Sequence, residues 1–286
     1  MISKLHSNSI FIIARLTFRE AARRKILLGA LLLGVVFLGV YGAGFYFIRA
    51  DLESTGQFSK PVIINQLFNF LALAGLYVVN FLFVMMSVLM SVDTIAGEIT
   101  SGTIHALASK PVHRWEILLG KWLGYVIMLS LYFLMMAAGV VAVVKTVAGY
   151  DIPNVARGAA LIWLNGILLL NMTLLGGTQL STLANGVLVF AAFGVAFVGG
   201  WIEQIGSFLN SQAAVNVGIV SSLLMPSEAL WKRAAYEMRS LLVDALGFSP
   251  FTSSTSVPST FMLVYAVLYT LATLGFAVWN FERRDL

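Results

Sequence analysis

Few side chains in this sequence have the types and spacings that covalent or metal chemistry requires. The 286 residues include no cysteine, which excludes a thiol nucleophile, a disulfide framework and a cysteine-ligated zinc or iron–sulfur site. The motifs HExxH, GxSxG and G-x-x-x-x-G-K-[ST] are missing, and the pair Gly120-Lys121 is followed by Trp122 rather than by Ser or Thr. His105 and His113 share one loop without carboxylates of matching spacing. We therefore expect no catalytic residue, no metal site and no cofactor in this chain.

The composition indicates a protein that crosses a membrane several times. Hydrophobic residues make up 59% of the chain and charged residues only 11%, whereas soluble domains are about a quarter charged. Uncharged runs, each long enough for a helix of about 20 residues, extend over 26–48, 61–92, 122–144, 158–202, 204–227 and 245–281. The net charge of +5 includes a basic cluster directly before the first run, which predicts membrane orientation rather than nucleic-acid binding.

Six membrane spans account for these runs if the stretch 158–202 forms two helices. A polar turn around Gln179, Ser181, Thr182, Asn185 and Gly186 would separate them, which gives spans over 26–48, 65–92, 118–144, 158–178, 187–202 and 260–281. With the N-terminus in the cytoplasm, 11 Lys and Arg residues are cytoplasmic and seven lie outside. This distribution favours cytoplasmic N- and C-termini in the cell (inner) membrane.

A seven-span topology is the alternative that charge counting leaves open. If residues 204–227 cross the membrane, the counts become 12 against six. We favour six spans because this segment is rich in polar side chains, and its best apolar stretch, 213–225, has the length of a re-entrant or interfacial segment. Residues 203–259 then form an outer segment, in which an amphipathic helix over 228–246 stops at Gly247 and lies flat on the membrane surface.

The residues before the first span predict an amphipathic helix at the membrane surface, capped by Ser7, Asn8 or Ser9. Over 10–25, basic residues recur at helical spacing opposite an apolar face, namely Arg15, Arg19 and Arg23 opposite Phe11, Ala14, Phe18 and Ala22. A basic tail that only sets topology is the alternative. The predicted fold is an all-α integral membrane protein with a single transmembrane domain over 1–286. It has six transmembrane helices, this interfacial helix over 1–25 and the re-entrant or amphipathic outer segment.

Charged and amide side chains differ in where they fall relative to the spans. All 13 acidic and 18 basic residues can be placed in loops, termini or span edges, which disfavours an ion-coupled carrier or a channel. Amides do enter the spans, and we favour interhelical hydrogen bonds over substrate contact for them. The candidates for a translocation path are Asn69, Asn80, Asn165 and Asn171. Gly120 and Gly124 form a GxxxG motif that permits close approach of another helix.

The loop 93–116 between the second and third spans is the most distinctive hydrophilic segment. Asp93 or Thr94 can cap a short helix that carries Glu98. Gly102 permits a break before a second helical turn, which Pro111 ends. A short helix with an acidic residue on a cytoplasmic hairpin has a shape that suits docking of a soluble partner.

This loop resembles the corresponding loop of ABC-2 type transporter permeases. The likeness is closest to the branch associated with copper-enzyme maturation, and it rests on Glu98, the run Ser101-Gly102-Thr103, Leu107, Lys110-Pro111, Arg114-Trp115-Glu116 and Gly120-Lys121. The rest of the chain is similar more loosely, through the basic helix before the first span, the six spans and the basic C-terminal tail.

The resemblance implies the membrane-spanning permease subunit of an ATP-binding-cassette transporter that exports a substrate not specified by the sequence. A separate ATPase subunit would hold ATP and Mg²⁺ and would contact Glu98, Ser101, Gly102, Thr103 and Leu107. The helix that carries Arg15, Arg19 and Arg23 would be a connecting helix beside that subunit. The other expected partners are membrane lipid and a second permease subunit, with a homodimer favoured over a heterodimer. The alternative is a non-transporting membrane scaffold that recruits a soluble partner through the loop 93–116.

Overall fold

The computed structural model describes residues 2–55, 61–100, 113–240 and 257–284, and its regular elements there are all helical. In chain order the first five are α1 Ile2–Ala22, α2 Lys25–Ser54, α3 Pro61–Ser91, α4 Ala96–Thr100 and α5 Arg114–Val143, which a π-helical turn over Val144–Ala148 extends. The others are α6 Val155–Gly177, α7 Thr182–Phe208, α8 Gln212–Leu224, α9 Ser227–Met238 and α10 Thr260–Arg283. The predicted all-α fold is confirmed.

Six of these helices, α2, α3, α5, α6, α7 and α10, are long and apolar enough to cross a membrane. Helices α5 and α7 extend beyond the uncharged runs of the sequence. A charged residue can lie within a helix when its side chain has a partner. As a result Lys121 lies inside α5 and Glu203 inside α7, and both are buried. The sequence places both residues at span edges, and their depth in the membrane stays a prediction.

Both ends of the chain lie on the same side of the bundle. Arg114, at the start of α5, donates hydrogen bonds to the backbone carbonyls of Glu282, at 3.4 Å, and Arg284. We call this side the terminal face; it comprises α1, residues 92–100, the turn 178–181 and residues 282–284. The opposite side is the distal face. Because a seventh crossing would place the C-terminus on the distal face, the structure favours six spans.

Helix α8 folds back along α7 on the distal side. Gly206 lies against Ala214, Gly218 against Glu203 and Gly199 against Ser221, so the two helices are antiparallel. Beyond Pro226 the chain turns by 106° into α9. By length and composition this bent pair fits either a broken span or a re-entrant segment, and the position of the C-terminus on the terminal face favours the re-entrant segment.

Helix α9 packs inside the bundle and does not lie flat on a surface. Its Trp231 ring lies 4.9 Å from the ring of Tyr77 on α3, and Met238 packs on Gly158 of α6. Consecutive residues of α9 are buried, namely Ala229–Trp231 and the pair at 234 and 235. Buried side chains therefore occupy more than one face of this helix. The helix ends at Met238, well short of the predicted 246. Gly247 and the rest of 241–256 lie outside the described residues.

Candidate functional site

Helix α1 is seated on the start of α5 by the predicted GxxxG motif. A Cβ atom at Gly120 would lie 2.7 Å from the Cβ of Ile13, and one at Gly124 would lie 2.7 Å from the backbone oxygen of Ala14. Glycine is needed here because only its absent side chain lets two backbones approach so closely. The predicted close approach is confirmed, and the helix that approaches is α1.

This docking covers one side of α1. The residues buried there are Ala14, Thr17 and Ala21, whereas Phe11 and Ala22 of the predicted apolar face are exposed, and their contact with the membrane stays a prediction. Small residues are selected because the glycine surface of α5 leaves room for nothing larger. The helix starts at Ile2, so residues 7–9 lie within it and do not cap it. Arg15, Arg19 and Arg23 all remain exposed on the outer side of α1.

The short helix α4 forms as predicted and is tied to α5 by a buried ion pair. The carboxylate of Glu98 contacts the ammonium group of Lys121, whose side chain is only 6% exposed. The Nζ atom of Lys121 also lies 3.5 Å from the backbone oxygen of Thr94, and the Thr94 hydroxyl donates to the Tyr125 hydroxyl at 2.7 Å. Glu98 thus has a partner within the chain. Ser101, Gly102, Thr103 and Leu107 lie outside the described residues.

The segment around α4 packs directly against the turn between α6 and α7. The Thr182 hydroxyl donates to Asp93 Oδ1 at 3.0 Å. Gly177 lies against Ile95, and Gly186 lies against Val92. The predicted turn is confirmed, since α6 ends at Gly177 and α7 begins at Thr182. Its position beside α4 is a contact that no local sequence pattern predicts.

One arginine joins a neighbouring element to this network, and a second lies near it. Arg284, after α10, donates to the backbone oxygen of Thr178 in the turn. Arg24, between α1 and α2, donates to Glu20 at 2.8 Å. Burial alone would lower the pKa of Arg24, but Tyr125, Glu20 and Asp93 together raise it above its usual value. Arg24 is charged like any arginine, so its bond to Glu20 is a charge-assisted hydrogen bond at the terminal face.

The four amides named as candidates for a translocation path are all buried and all join different helices. Asn165 donates to Asn80 at 2.9 Å, which links α6 to α3. Asn171 donates to the Thr270 carbonyl at 2.8 Å and accepts from Trp122 at 2.7 Å, which links α6 to α10 and α5. Asn69 donates to the Met238 carbonyl at 3.0 Å, which links α3 to α9. These contacts are the interhelical bonds that we favoured, whereas a role in a translocation path stays a prediction.

A second ionic pair lies on the distal side, beside a cavity of about 360 Å³. Lys232 Nζ of α9 donates to Glu203 Oε2 of α7 at 3.0 Å, and both side chains are about nine-tenths buried. Glu228, one turn earlier on α9, is also buried and packs on Gly200. Sequence reasoning missed this cluster because Glu203 ends an uncharged run and so resembled a span edge. The signal that was available is the four-residue spacing of Glu228 and Lys232 on one helix.

The described residues form a bundle of six candidate membrane spans with short polar elements gathered on one face. Residues 11–286 match the family described as ABC-2 family transporter protein, and the chain belongs to that family. Over 98 residues it is 32% identical to "Probable ABC transporter permease protein NosY" of Stutzerimonas stutzeri. That match covers 34% of this chain and 33% of the relative. Family membership identifies the chain as the non-catalytic, membrane-spanning part of an ABC transporter.

Proposed function

We propose that the chain is the permease subunit of an ATP-driven exporter, and that its terminal face receives a separate ATPase subunit. The observation that carries this proposal is the contact between the predicted partner loop and the turn between α6 and α7. Val92, Asp93 and Ile95 contact Gly186, Thr182 and Gly177, which flank the turn 178–181. A partner that moves one of them would move the other with it.

The same network offers a route from the terminal face to the spans. Glu98 and Lys121 join α4 to α5, the GxxxG contact joins α1 to α5, and Arg284 joins the end of α10 to the turn. A rigid displacement at this face would therefore act on several spans together, which is what a two-state transporter requires. In this proposal the main role of Glu98 is to hold α4 on α5 through Lys121. The residues left for contact with the ATPase are Ser101, Gly102, Thr103 and Leu107, together with Arg15, Arg19 and Arg23, which are exposed on α1.

The proposed assembly contains two permease chains, and a homodimer is favoured. Hydrogen bonds donated by Asn69, Asn165 and Asn171 link the helices in the interior of one bundle, and Asn80 accepts the bond from Asn165. A path between two copies is therefore simpler than a path through one. Helix α2, the least buried span, leaves large apolar side chains exposed to lipid or to a second chain. ATP and Mg²⁺ belong to the ATPase subunits, and the terminal face, with both termini, is cytoplasmic.

The test is co-purification of the full chain in mild detergent with an ABC ATPase co-expressed from the same genome. ATP hydrolysis is then measured with and without the permease chain. We expect a complex with two copies of each subunit and a changed rate of ATP hydrolysis. Binding with an unchanged rate would favour the scaffold function, and failure to bind any ATPase would contradict the proposal.

A matched pair of variants separates docking from coupling. Glu98→Gln removes the charge that holds α4 on Lys121, whereas Glu53→Gln removes the charge of an exposed pair with Arg49 on the distal face. We expect the first variant to bind the ATPase and to lose the change in hydrolysis rate, and the second to behave as the unmodified chain. Equal behaviour of the two variants would contradict a coupling role for α4.

A further inference from the structure

The cavity beside Glu203 carries balanced charges. Its volume of about 360 Å³ falls within the roughly 300–1,000 Å³ of typical ligand pockets. Among the described residues that line it, Glu203 and Lys232 are the charged ones, and they are bound to each other at 3.0 Å. Because these two charges compensate each other, the cavity selects neither for a cation nor for an anion.

The ammonium group of Lys232 retains hydrogen-bonding capacity at this cavity. An ammonium group has three N–H donors, and among the described residues Lys232 donates one hydrogen bond, to Glu203. Its side chain is only 10% exposed, so bulk water reaches little of it. Since a buried donor without an acceptor is unfavourable, the remaining N–H groups require an acceptor.

Two serines add hydroxyl donors from other elements. Ser222 of α8 is buried at the cavity wall, and its hydroxyl has no hydrogen-bond partner within the part of the chain that the structure describes. Ser259, just before α10, accepts from the Met262 amide at 3.3 Å and keeps its own hydroxyl hydrogen as a donor. The side-chain acceptors Glu203 and Ser259 each already receive a bond, so the groups in need of a partner are donors.

We propose that this cavity binds an uncharged acyl compound whose ester or amide carbonyl oxygen accepts hydrogen bonds from Lys232 and Ser222. The acyl chain lies against the apolar wall, which includes Val215, Ile219 and Met262. A carbonyl oxygen satisfies the donors and leaves the buried ion pair balanced. A carboxylate would place a second negative charge beside Glu203, and an ammonium group would add donors where the acceptors are already engaged.

Probes of similar size test the choice of functional group. They are methyl hexanoate, hexanoate, hexylammonium and nonane, each added to the purified full chain from the same detergent stock. The signal is the NMR shift of the carbon-13-labelled methyl group of Met262, which Met262→Leu assigns. The methyl group of Met135, exposed on α5, reports uptake of the probe into the micelle.

The expected result is a saturable shift at Met262 with methyl hexanoate and no matching shift at Met135. The other three probes should bind at least about tenfold more weakly. Equal binding of nonane would show apolar filling without recognition of an acceptor. Equal or tighter binding of hexanoate or hexylammonium would show recognition of a charge. Either result would overturn the proposal.

A double variant removes the donors of Lys232 without leaving a buried charge unpaired. Replacing a buried ion pair by apolar residues is often neutral for stability, so Glu203→Leu combined with Lys232→Leu should fold. We expect its half-saturating concentration of methyl hexanoate to rise at least about tenfold. Arg49→Leu combined with Glu53→Leu, which removes an exposed pair on the distal face, is the control and should bind as the unmodified chain does.

Ser222→Ala removes a single donor and is the milder variant. It should weaken methyl hexanoate binding roughly threefold to tenfold, as expected for one hydrogen bond. Unchanged binding in both the double variant and Ser222→Ala would contradict the proposal. If the double variant does not fold, Ser222→Ala decides alone.

The same carbonyl chemistry can come from a membrane lipid or from a diffusing compound. Nanodiscs of diester phosphatidylcholine and of its diether analogue differ in their carbonyl oxygens. Weaker methyl hexanoate binding in the diester discs would identify the lipid as the natural occupant, whereas equal binding in both would identify a diffusing compound. Binding in neither would overturn the proposal. None of these measurements uses an ATPase, so they are independent of the function proposed above.

Discussion

The terminal and distal faces each bury one Lys–Glu pair, and the two pairs have different surroundings. On the terminal face, Lys121 and Glu98 sit beside Thr94 and Tyr125, which are themselves hydrogen-bonded. On the distal face, Lys232 and Glu203 border a cavity and face the further carboxylate of Glu228. The two pairs contain the same residue types but differ in their neighbours, because hydrogen-bonded hydroxyls lie beside Lys121 and a cavity borders Lys232.

The cost of breaking either Lys–Glu pair depends on the desolvation of its charges. A buried ion pair is stable only when its remaining hydrogen-bonding capacity is satisfied, and removal of one partner leaves a charge without water. At Lys121 the neighbouring groups are the Glu98 carboxylate and the backbone oxygen of Thr94. At Lys232 the cavity can admit water or a ligand, so a change there is easier to accommodate.

The largest expected effect comes from breaking the two pairs in the same way. Lys121→Gln should lower the free energy of unfolding by about 3 kcal/mol, at the lower end of the range for one partner removed from a buried pair. Lys232→Gln should cost about half as much, because the cavity admits water. Unfolding titrations in mixed SDS micelles would measure both. Equal costs would contradict the contrast between an enclosed pair and an open one.

A smaller effect should follow from filling the contact between α1 and α5. Gly124→Ala places a methyl group 2.7 Å from the backbone oxygen of Ala14, which cannot rotate away. We expect destabilisation by about 1–2 kcal/mol, measured by the same unfolding titration. Gly44→Ala, on α2 with nothing within 4 Å, is the control and should be neutral or slightly stabilising. A loss of stability in the control as large as in Gly124→Ala would remove close packing as the explanation.

The smallest effect should be the coupling between Asn80 and Asn165. A double-mutant cycle with Asn80→Leu and Asn165→Leu should give a coupling energy of about 0.6 kcal/mol, typical of interhelical bonds in membranes. Neither face should be altered, so ATPase binding should survive in both single variants. Loss of transport with unchanged stability would instead show that these amides line the path.

The sequence predicts local features well and partners between distant segments poorly. The turn after Gly177, the short helix at Ala96 and the re-entrant segment follow from polar and glycine residues close together in the chain. The GxxxG motif predicts that another helix approaches closely, but its spacing does not identify α1 as that helix.

The ionic clusters illustrate the same limit. Lys232 lies 29 residues after Glu203, and its pairing depends on the return of α8 along α7 and on the bend after Pro226. A charge at the end of an uncharged run resembles a span edge whether or not a partner lies deeper in the fold. For this reason the sequence placed Glu203 at a boundary and the structure places it at a cavity.

The most direct test of the central claim asks which face contacts the ATPase. The chain contains no cysteine, so Arg19→Cys on α1 and Glu53→Cys on α2 each provide a unique exposed position for a benzophenone maleimide. Both labelled chains would be illuminated in complex with the co-purified ATPase. We predict a cross-link from position 19, on the terminal face, and none from position 53, on the distal face. A cross-link from position 53, or from neither position in an intact complex, would contradict the assignment of the terminal face as the ATPase-binding surface.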